Sequence, residues 1–403
     1  MESAVVESGT IRRTVTVATI GITQTLAWGS SYYLPAILAD DMARGIGVSR
    51  AWVFAAFSAS LLLAAVLGPS IGRAIDRRGG SGVLVASNVV LAAGLVGLSL
   101  CTGVATLMFA WAVMGVGMAL GLYDAAFATL AGIYGREARG PITGITLIAG
   151  FASTVGWPLS ALLDARFGWR GTCLVWAGIN AIIGLPLNLL LVPRSSGRED
   201  PKHQGAVVWE PRKEMILLAY VFAASWFVTG AMAAHLPTLL ERMGATTVQA
   251  IAAAALVGPA QVAARLAEFL IMRDIHPLVS ARLAASMHPI GATILAVLGS
   301  PAATIFALLH GAGNGLLTIA RGTVPLALFG PEGYGARTGL LGAPARAAQA
   351  AAPLLFGVLL DMMGREVLAV SGGLCLSALA ALLVLKATSA PAPAQQAECE
   401  CDG

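Results

Sequence analysis

Long apolar runs alternate with short polar breaks from one end of the chain to the other. Divided at those breaks, the sequence predicts twelve helices of membrane-crossing length. Six precede a polar stretch, at about 14–38, 51–72, 82–102, 104–131, 141–163 and 171–192. Six follow it, at about 214–240, 247–272, 278–298, 301–328, 338–360 and 367–387. A helix needs about 20 largely apolar residues to cross roughly 30 Å of hydrocarbon, and every run meets that length. The predicted organisation is a short N-terminal segment (1–13), a six-helix half (14–192), a central loop (193–213), a second six-helix half (214–387) and a tail (388–403). The first run exceeds a signal-peptide core, contains Trp28, Tyr32 and Tyr33, and shows no small-residue cleavage site, so it is expected to be a retained span.

Composition removes the soluble alternatives. The chain is 57% hydrophobic and only 11% charged, with a mean hydropathy of +0.79. Its 47 glycines suit closely packed membrane helices, where small residues let backbones approach. The expected class is an all-α polytopic membrane protein. A net charge of +4 is too small to point to nucleic acid. Lys and Arg divide fifteen to six between the loops on the N-terminal side and those opposite, with four more arginines at or within the runs. The positive-inside rule then places both termini in the cytoplasm, in the inner membrane of a bacterium.

The halves echo each other. Gly68-Pro69 is followed by Arg73 and Asp76, and Gly258-Pro259 by Arg265 and Glu268. Tyr33-Leu34-Pro35 in the first run matches His235-Leu236-Pro237 in the seventh, and Arg139-Gly140 before the fifth matches Arg337-Thr338 before the eleventh. Such internal pseudo-symmetry marks transporters whose substrate site lies between the repeats.

The loop between the second and third runs reads Gly72-Arg73-Ala74-Ile75-Asp76-Arg77-Arg78-Gly79. Its G-x-x-x-D-R-x-G pattern resembles the signature loop of the major facilitator superfamily, although Gly80 and Ser81 stand where that family usually has a further basic residue. Phe167–Gly171 (FGWRG) looks like a stretch of the monocarboxylate-porter branch, and Gln261-x-x-x-Arg265 resembles that branch's Asp-x-x-x-Arg with Gln in the acidic position. The antiporter signature of the fifth span is not matched by Gly150, Gly156, Trp157 and Pro158. The resemblance implies alternating access, with Gly72, Arg73, Asp76, Arg77 and Gly79 as a conformational latch that does not touch substrate.

Ionisable groups inside spans are costly and mark function. Asp124, Arg265, Arg321 and Arg346 all fall about seven or eight residues from the basic side, which at 1.5 Å per residue puts them on one shelf roughly 10–12 Å deep. His310, Asn314, Thr318 and Arg321 recur at helical spacing as one polar stripe. Arg346 and Gln349 add to it from the eleventh run, and Gln24, Trp28 and Ser31 from the first. Lipid cannot accommodate such stripes, so they are expected to line a cavity between the halves. Asp124 continues the face of Gly117 and Gly121 and is expected against a packed helix.

The candidate substrate-binding residues are Arg265, Arg346, Arg321, Asn314, Gln261, Gln24 and Trp28, with Arg265 and Arg346 as carboxylate binders. Asp124 and His310 are candidates to carry a coupling proton. Two structural readings compete: Arg265 with Glu268 as an intrahelical pair, and Arg321 with Arg346 as an inner gate closed on Asp124.

Of the 5 cysteines, Cys101, Cys173 and Cys375 read as small core residues. Cys399 and Cys401 form a C-x-C pair that could capture a thiophilic ion. No Walker A motif, nucleophile–base pair or resident cofactor site is visible. The leading expectation is therefore a monomeric secondary transporter of a small organic anion, coupled to protons. Its rivals are efflux of trivalent arsenic or antimony, export of an amphipathic cation, and a non-transporting sensor.

Overall fold

The computed structural model describes residues 2–194 and 213–386, with side chains from Ile11 onward. The central-loop segment 195–212, and the tail bearing Cys399 and Cys401, lie outside the described residues. The described chain is helical, and its helices make twelve crossings in two halves of six.

The first crossing is α1 (Glu2–Ser30) with α2 (Leu34–Ile46); α3 (Arg50–Arg78) and α4 (Ser81–Ser99) are the second and third. The fourth joins α5 (Val104–Gly121) to α6 (Tyr123–Tyr134). The fifth begins with α7 (Arg139–Ala149) and continues in α8 (Ala152–Ile179). Gly168, at φ +68°, reverses the chain inside α8 and starts the sixth crossing, which ends through a π turn (Asn180–Gly184) and α9 (Leu185–Leu191). The second half runs through α10 (Lys213–Arg242), α11 (Thr247–Ala255) with α12 (Val257–Ile271), and α13 (Pro277–Leu298). It ends with α14 (Ala303–Phe329), α15 (Tyr334–Met363) and α16 (Val367–Val384).

The interruptions are where the observed spans depart from the sequence reading. The first crossing breaks at Ser31–Tyr33, and Pro35 restarts it at the first turn of α2, where a missing N–H costs nothing. It then runs to Ile46 rather than ending near 38, so Arg44 lies in a last helical turn and not in a loop. Its partner in the echo, Pro237, sits inside an unbroken α10.

Each half has its own core. In the first, neutral amides tie three crossings together: Asn188 donates to Asn88 Oδ1 at 2.7 Å, Thr23 donates to Asn188 Oδ1 at 3.1 Å, and Asn180 donates to Ser30 Oγ at 3.0 Å. Arg170 lies over the Trp169 ring at 4.1 Å and donates to the Cys101 carbonyl, closing the C-terminal end of α4. Those bonds give the FGWRG stretch a structural role. In the second half Arg282 donates to the Leu382 and Leu385 carbonyls and closes the end of α16.

The halves meet most closely where α3 crosses α15. A Cβ on Gly339 would fall 2.5 Å from the Gly68 carbonyl oxygen, and one on Gly335 equally close to that of Gly72. Only glycine lets the two backbones touch there. This crossing lies at the end of the bundle that carries the Arg73–Arg78 loop, here termed the basic end.

Candidate functional site

Leu122 interrupts the fourth crossing in an extended conformation (ψ −175°), so α6 begins on a new face. Gly117 and Gly121 face Leu91 and Ser87 of α4. Asp124, in the first turn of α6, does not continue that face, contrary to the sequence reading, because the break rotates it toward the other half. There it meets two arginines. Arg321 Nη2 of α14 lies 2.8 Å from Asp124 Oδ1, and Arg346 Nη2 of α15 lies 2.5 Å from Oδ2. Arg346 also donates to the Ala64 carbonyl of α3 at 3.0 Å, and the Arg321 guanidinium lies 4.4 Å from the centre of the Trp226 ring. All three ionised groups are buried. One acid from the first half therefore holds two bases from the second.

Arg265 stands apart from this triad. It is 6% exposed, and among the described residues it forms no ion pair. Its Nη1 donates to the Thr146 carbonyl of α7 at 3.1 Å, and Nη2 to Gln261 Oε1 (3.4 Å) and Thr318 Oγ1 (3.3 Å). Its Nε–H has no partner. Room for the head group comes from the break in the fifth crossing, where a Cβ on Gly150 would lie 2.6 Å from Arg265 Nη1. The intrahelical pair with Glu268 does not form. Glu268 is instead bonded to Ser280 at 2.8 Å and to Arg139 of the opposite half at 3.3 Å, and Arg139 also donates to the Met272 carbonyl.

The remaining lining residues divide. Trp28 packs edge-on to Tyr32 at 5.1 Å and against Tyr123 at 5.0 Å, and its indole N–H is unpartnered. Gln349 donates to the Tyr32 hydroxyl at 2.6 Å, joining α15 to the first crossing. Gln24 is occupied in packing, since its amide donates to the Gly121 carbonyl at the break of the fourth crossing, although its Oε1 stays buried without a partner. Asn314 accepts from Thr229 at 3.0 Å and lies beside the stripe residue Thr318. His310 is buried within the second half, against His288, and does not reach the interface.

At the basic end, Asp76 accepts hydrogen bonds from the Gly335 and Ala336 backbone N–H groups, both at 2.8 Å. These are unsatisfied first-turn donors of α15, at the positive end of its dipole. Gly72 makes the close crossing described above and Gly79 ends α3, while Arg73 and Arg77 are exposed and form no ion pair among the described residues. The polar bonds identified between the halves run from Tyr32–Gln349 down to this end. The structure is closed there.

The sequence reading missed Tyr123, Trp226 and the partnership of Arg139 with Glu268. Its position beside the intramembrane Asp124 was a usable signal for Tyr123, whereas no charge lies near Trp226 in the sequence. The third joins residues that no local spacing connects.

A family model described as Major Facilitator Superfamily matches residues 20–309. The crystal structure of the human organic anion transporter MFSD10 (TETRAN) superposes with a TM-score of 0.71 at 18% identity, over 92% of this chain and 99% of that one. The crystal structure of a variant of the E. coli fucose:proton symporter FucP superposes with a TM-score of 0.72 at 10% identity, over 91% and 97%. At these identities the likeness is one of fold. A curated protein of Thermoproteus tenax, an uncharacterized 38 kDa protein in the 23S RNA operon, is 29% identical over 168 residues, 41% of this chain and 44% of that protein. The chain thus spans less than half the length of that relative. None of these matches singles out the monocarboxylate-porter branch.

Proposed function

The chain belongs to the major facilitator superfamily of transporters, and we propose that it carries a small organic anion by alternating access, with Arg265 as the carboxylate anchor. One observation supports this above the others. Of the three arginines buried among the described residues, two share Asp124, and Arg265 forms no ion pair there, with an Nε–H left over. A buried, unneutralised guanidinium is expensive, and a carboxylate taking its free donors would remove that cost through a charge-assisted bond. Trp28, Tyr33 and Tyr123 would hold the apolar part of such a ligand, and Gln261, Asn314 and Thr318 its polar groups.

Arg321 and Arg346 then act as gate and not as ligands. Their pairing with Asp124, the Asp76 cap and the Arg139–Glu268 bond close the basic end, so substrate enters from the opposite face in this state. With the basic end in the cytoplasm of a bacterial cell, that face is external. Efflux of a thiophilic metalloid has no comparable support within the described residues, because Cys399 and Cys401 fall outside them.

The test is a thermal-shift series on purified protein with L-lactate, pyruvate and benzoate, against neutral sugars and amphipathic cations. A ligand at 100 times its Kd stabilises the fold by about 2.7 kcal/mol. The expected result is a carboxylate response that Arg265→Ala abolishes. A response to cations alone, or a carboxylate response unchanged in Arg265→Ala, would overturn the assignment.

A further inference from the structure

His288 of α13 and His310 of α14 face each other inside the second half, Nδ1 to Nδ1 at 3.0 Å, with ring centres 5.0 Å apart. Both are buried. A hydrogen bond between two imidazole Nδ1 atoms requires one to carry the proton and the other to accept it, so the neutral pair already shares one N–H. The other nitrogen of His288, Nε2, is fully buried and has no partner in the protein. Buried polar groups rarely stay unpaired, and His288 lines a small cavity with room for about one water. Ser225, Thr229, Asn314 and Cys375 also line that cavity. A site with several polar partners and room for water holds water.

None of the residues that line this cavity carries a fixed charge. Phe306 packs edge-on to His288 at 5.3 Å. From α10 the cavity receives Ser225 and Thr229, which do not titrate, and from α16 it receives Cys375. Farther along α14, Asn314 accepts from Thr229, and Thr318 accepts from Arg265 and donates its own hydroxyl to the Asn314 carbonyl. Thr229 and Asn314 thus share the cavity with the histidine pair, and hydrogen bonds connect them through Thr318 to Arg265.

We propose that His288 and His310 form the proton-carrying site of this transporter, loaded through water in the cavity and coupled to the anion at Arg265. This rests on the anion reading only for the coupling. In the loading step a hydronium ion in the cavity gives its proton to the free imidazole lone pair and leaves as water. The N–H···N bond persists, and the pair gains one positive charge. While Arg265 is empty its charge opposes that gain. An anion on Arg265 cancels the opposition, so anion and proton each favour the other's binding, a coupling that must be reciprocal. One anion then travels with one proton. Asp124, held between two arginines, is not required as carrier.

The experiment has a substrate-independent arm. The full chain, labelled with ¹⁵N-histidine and embedded in lipid nanodiscs, is titrated between about pH 4.5 and 9, the range over which imidazoles ordinarily change charge. Its 5 histidines are assigned with His288→Gln and His310→Gln. The expected result is that two ring signals move together in one step, and that either substitution changes the titration of the remaining partner. Constant signals, or two titrations indifferent to each other's substitution, would overturn the proposal. A second arm follows ¹⁴C-lactate in proteoliposomes with an inward proton gradient. Either variant should lose at least tenfold of gradient-driven accumulation and keep gradient-independent exchange; accumulation equal to wild type would overturn the proposal. If the wild type takes up no carboxylate at all, the anion assignment fails, and the titration alone decides for or against the pair.

Discussion

Asp76 and Gly335 belong to opposite halves of the molecule, 259 residues apart, yet the carboxylate of one accepts the backbone N–H of the other at 2.8 Å. The Ala336 N–H makes the same bond to the second oxygen. An acidic side chain at the end of α3 is thus the N-terminal cap of α15. It is a cap that exists only while the basic end is closed, since separation of the halves removes the acid and exposes the donors to water.

Asp76→Ala should therefore loosen the start of α15 in the closed state. Removal of a helix cap costs about 0.5–2 kcal/mol, and charge-assisted bonds stand at the upper end of that scale. Hydrogen exchange of a peptide covering residues 333–345 in nanodiscs should speed up about tenfold, because 1.4 kcal/mol corresponds to a factor of ten. Asp76→Asn keeps one acceptor and should give a smaller change. Equal exchange in all three proteins would show that the cap does not hold the gate.

The Asp124 triad makes an asymmetric prediction. Asp124→Asn leaves the Arg321 and Arg346 guanidinium groups facing one another without a counter-charge. Removing one partner of a buried ionic group costs about 3–5 kcal/mol, so the variant should unfold at clearly lower temperature in detergent. Adding Arg346→Gln to Asp124→Asn removes one of the two uncompensated charges and should recover part of the loss. Additive losses in the double variant would mean that the three residues are energetically independent.

The parts of this structure that a sequence can express are periodic or local. The twelve crossings follow from apolar length, and the latch loop from four charges within Arg73–Arg78. The His310, Asn314, Thr318 and Arg321 stripe follows from helical spacing. What the sequence hides is direction. Arg265 and Glu268 are neighbours on α12, but three residues on a helix still separate side chains by about 60°. That angle suffices for Arg265 to reach Thr146 and the interface while Glu268 reaches Ser280 and Arg139. The break of the fourth crossing is hidden for a different reason. Leu122 interrupts its crossing at a residue with no breaking tendency of its own, whereas the break at Leu256 follows from Pro259, whose ring meets the Ala255 carbonyl. Neighbouring helices supply the partners that make a break tolerable, as Gln24 does for the Gly121 carbonyl.

The α3–α15 crossing should be intolerant of any side chain. Gly339→Val would set carbons against the Gly68 carbonyl and the Pro69 Cα, both backbone atoms that cannot turn away. The helices must part, so the closed state is disfavoured while the open one is untouched. The same exchange assay should report faster exchange of 333–345, and thiol reagents should reach cysteines introduced on the basic side of α3. Gly82→Ala, where no atom lies within 4 Å of the new carbon, is the control. Identical behaviour of Gly339→Val and Gly82→Ala would show that the crossing is not the point of closure.

His276 gives the closed end a dependence on pH. It lies in the connection between α12 and α13, and its Nδ1 accepts the Leu278 N–H at 3.2 Å as the cap of α13. An accepting Nδ1 must be unprotonated. Burial, with the nearby Arg139 and Arg282 charges, lowers its pKa below the usual 6.5. The folded state thus resists a proton that the unfolded chain accepts, and the stability that this neutral cap contributes is present above about pH 6.5 and is lost as the pH falls below it. Because the ring is only partly buried, the effect is modest, and it is best read by difference. His276→Asn supplies a capping oxygen that does not titrate. Between pH 7.5 and pH 5.5 the wild type should lose more thermal stability than His276→Asn, with the two proteins closest at the higher pH. Parallel losses would assign the acid sensitivity to other groups.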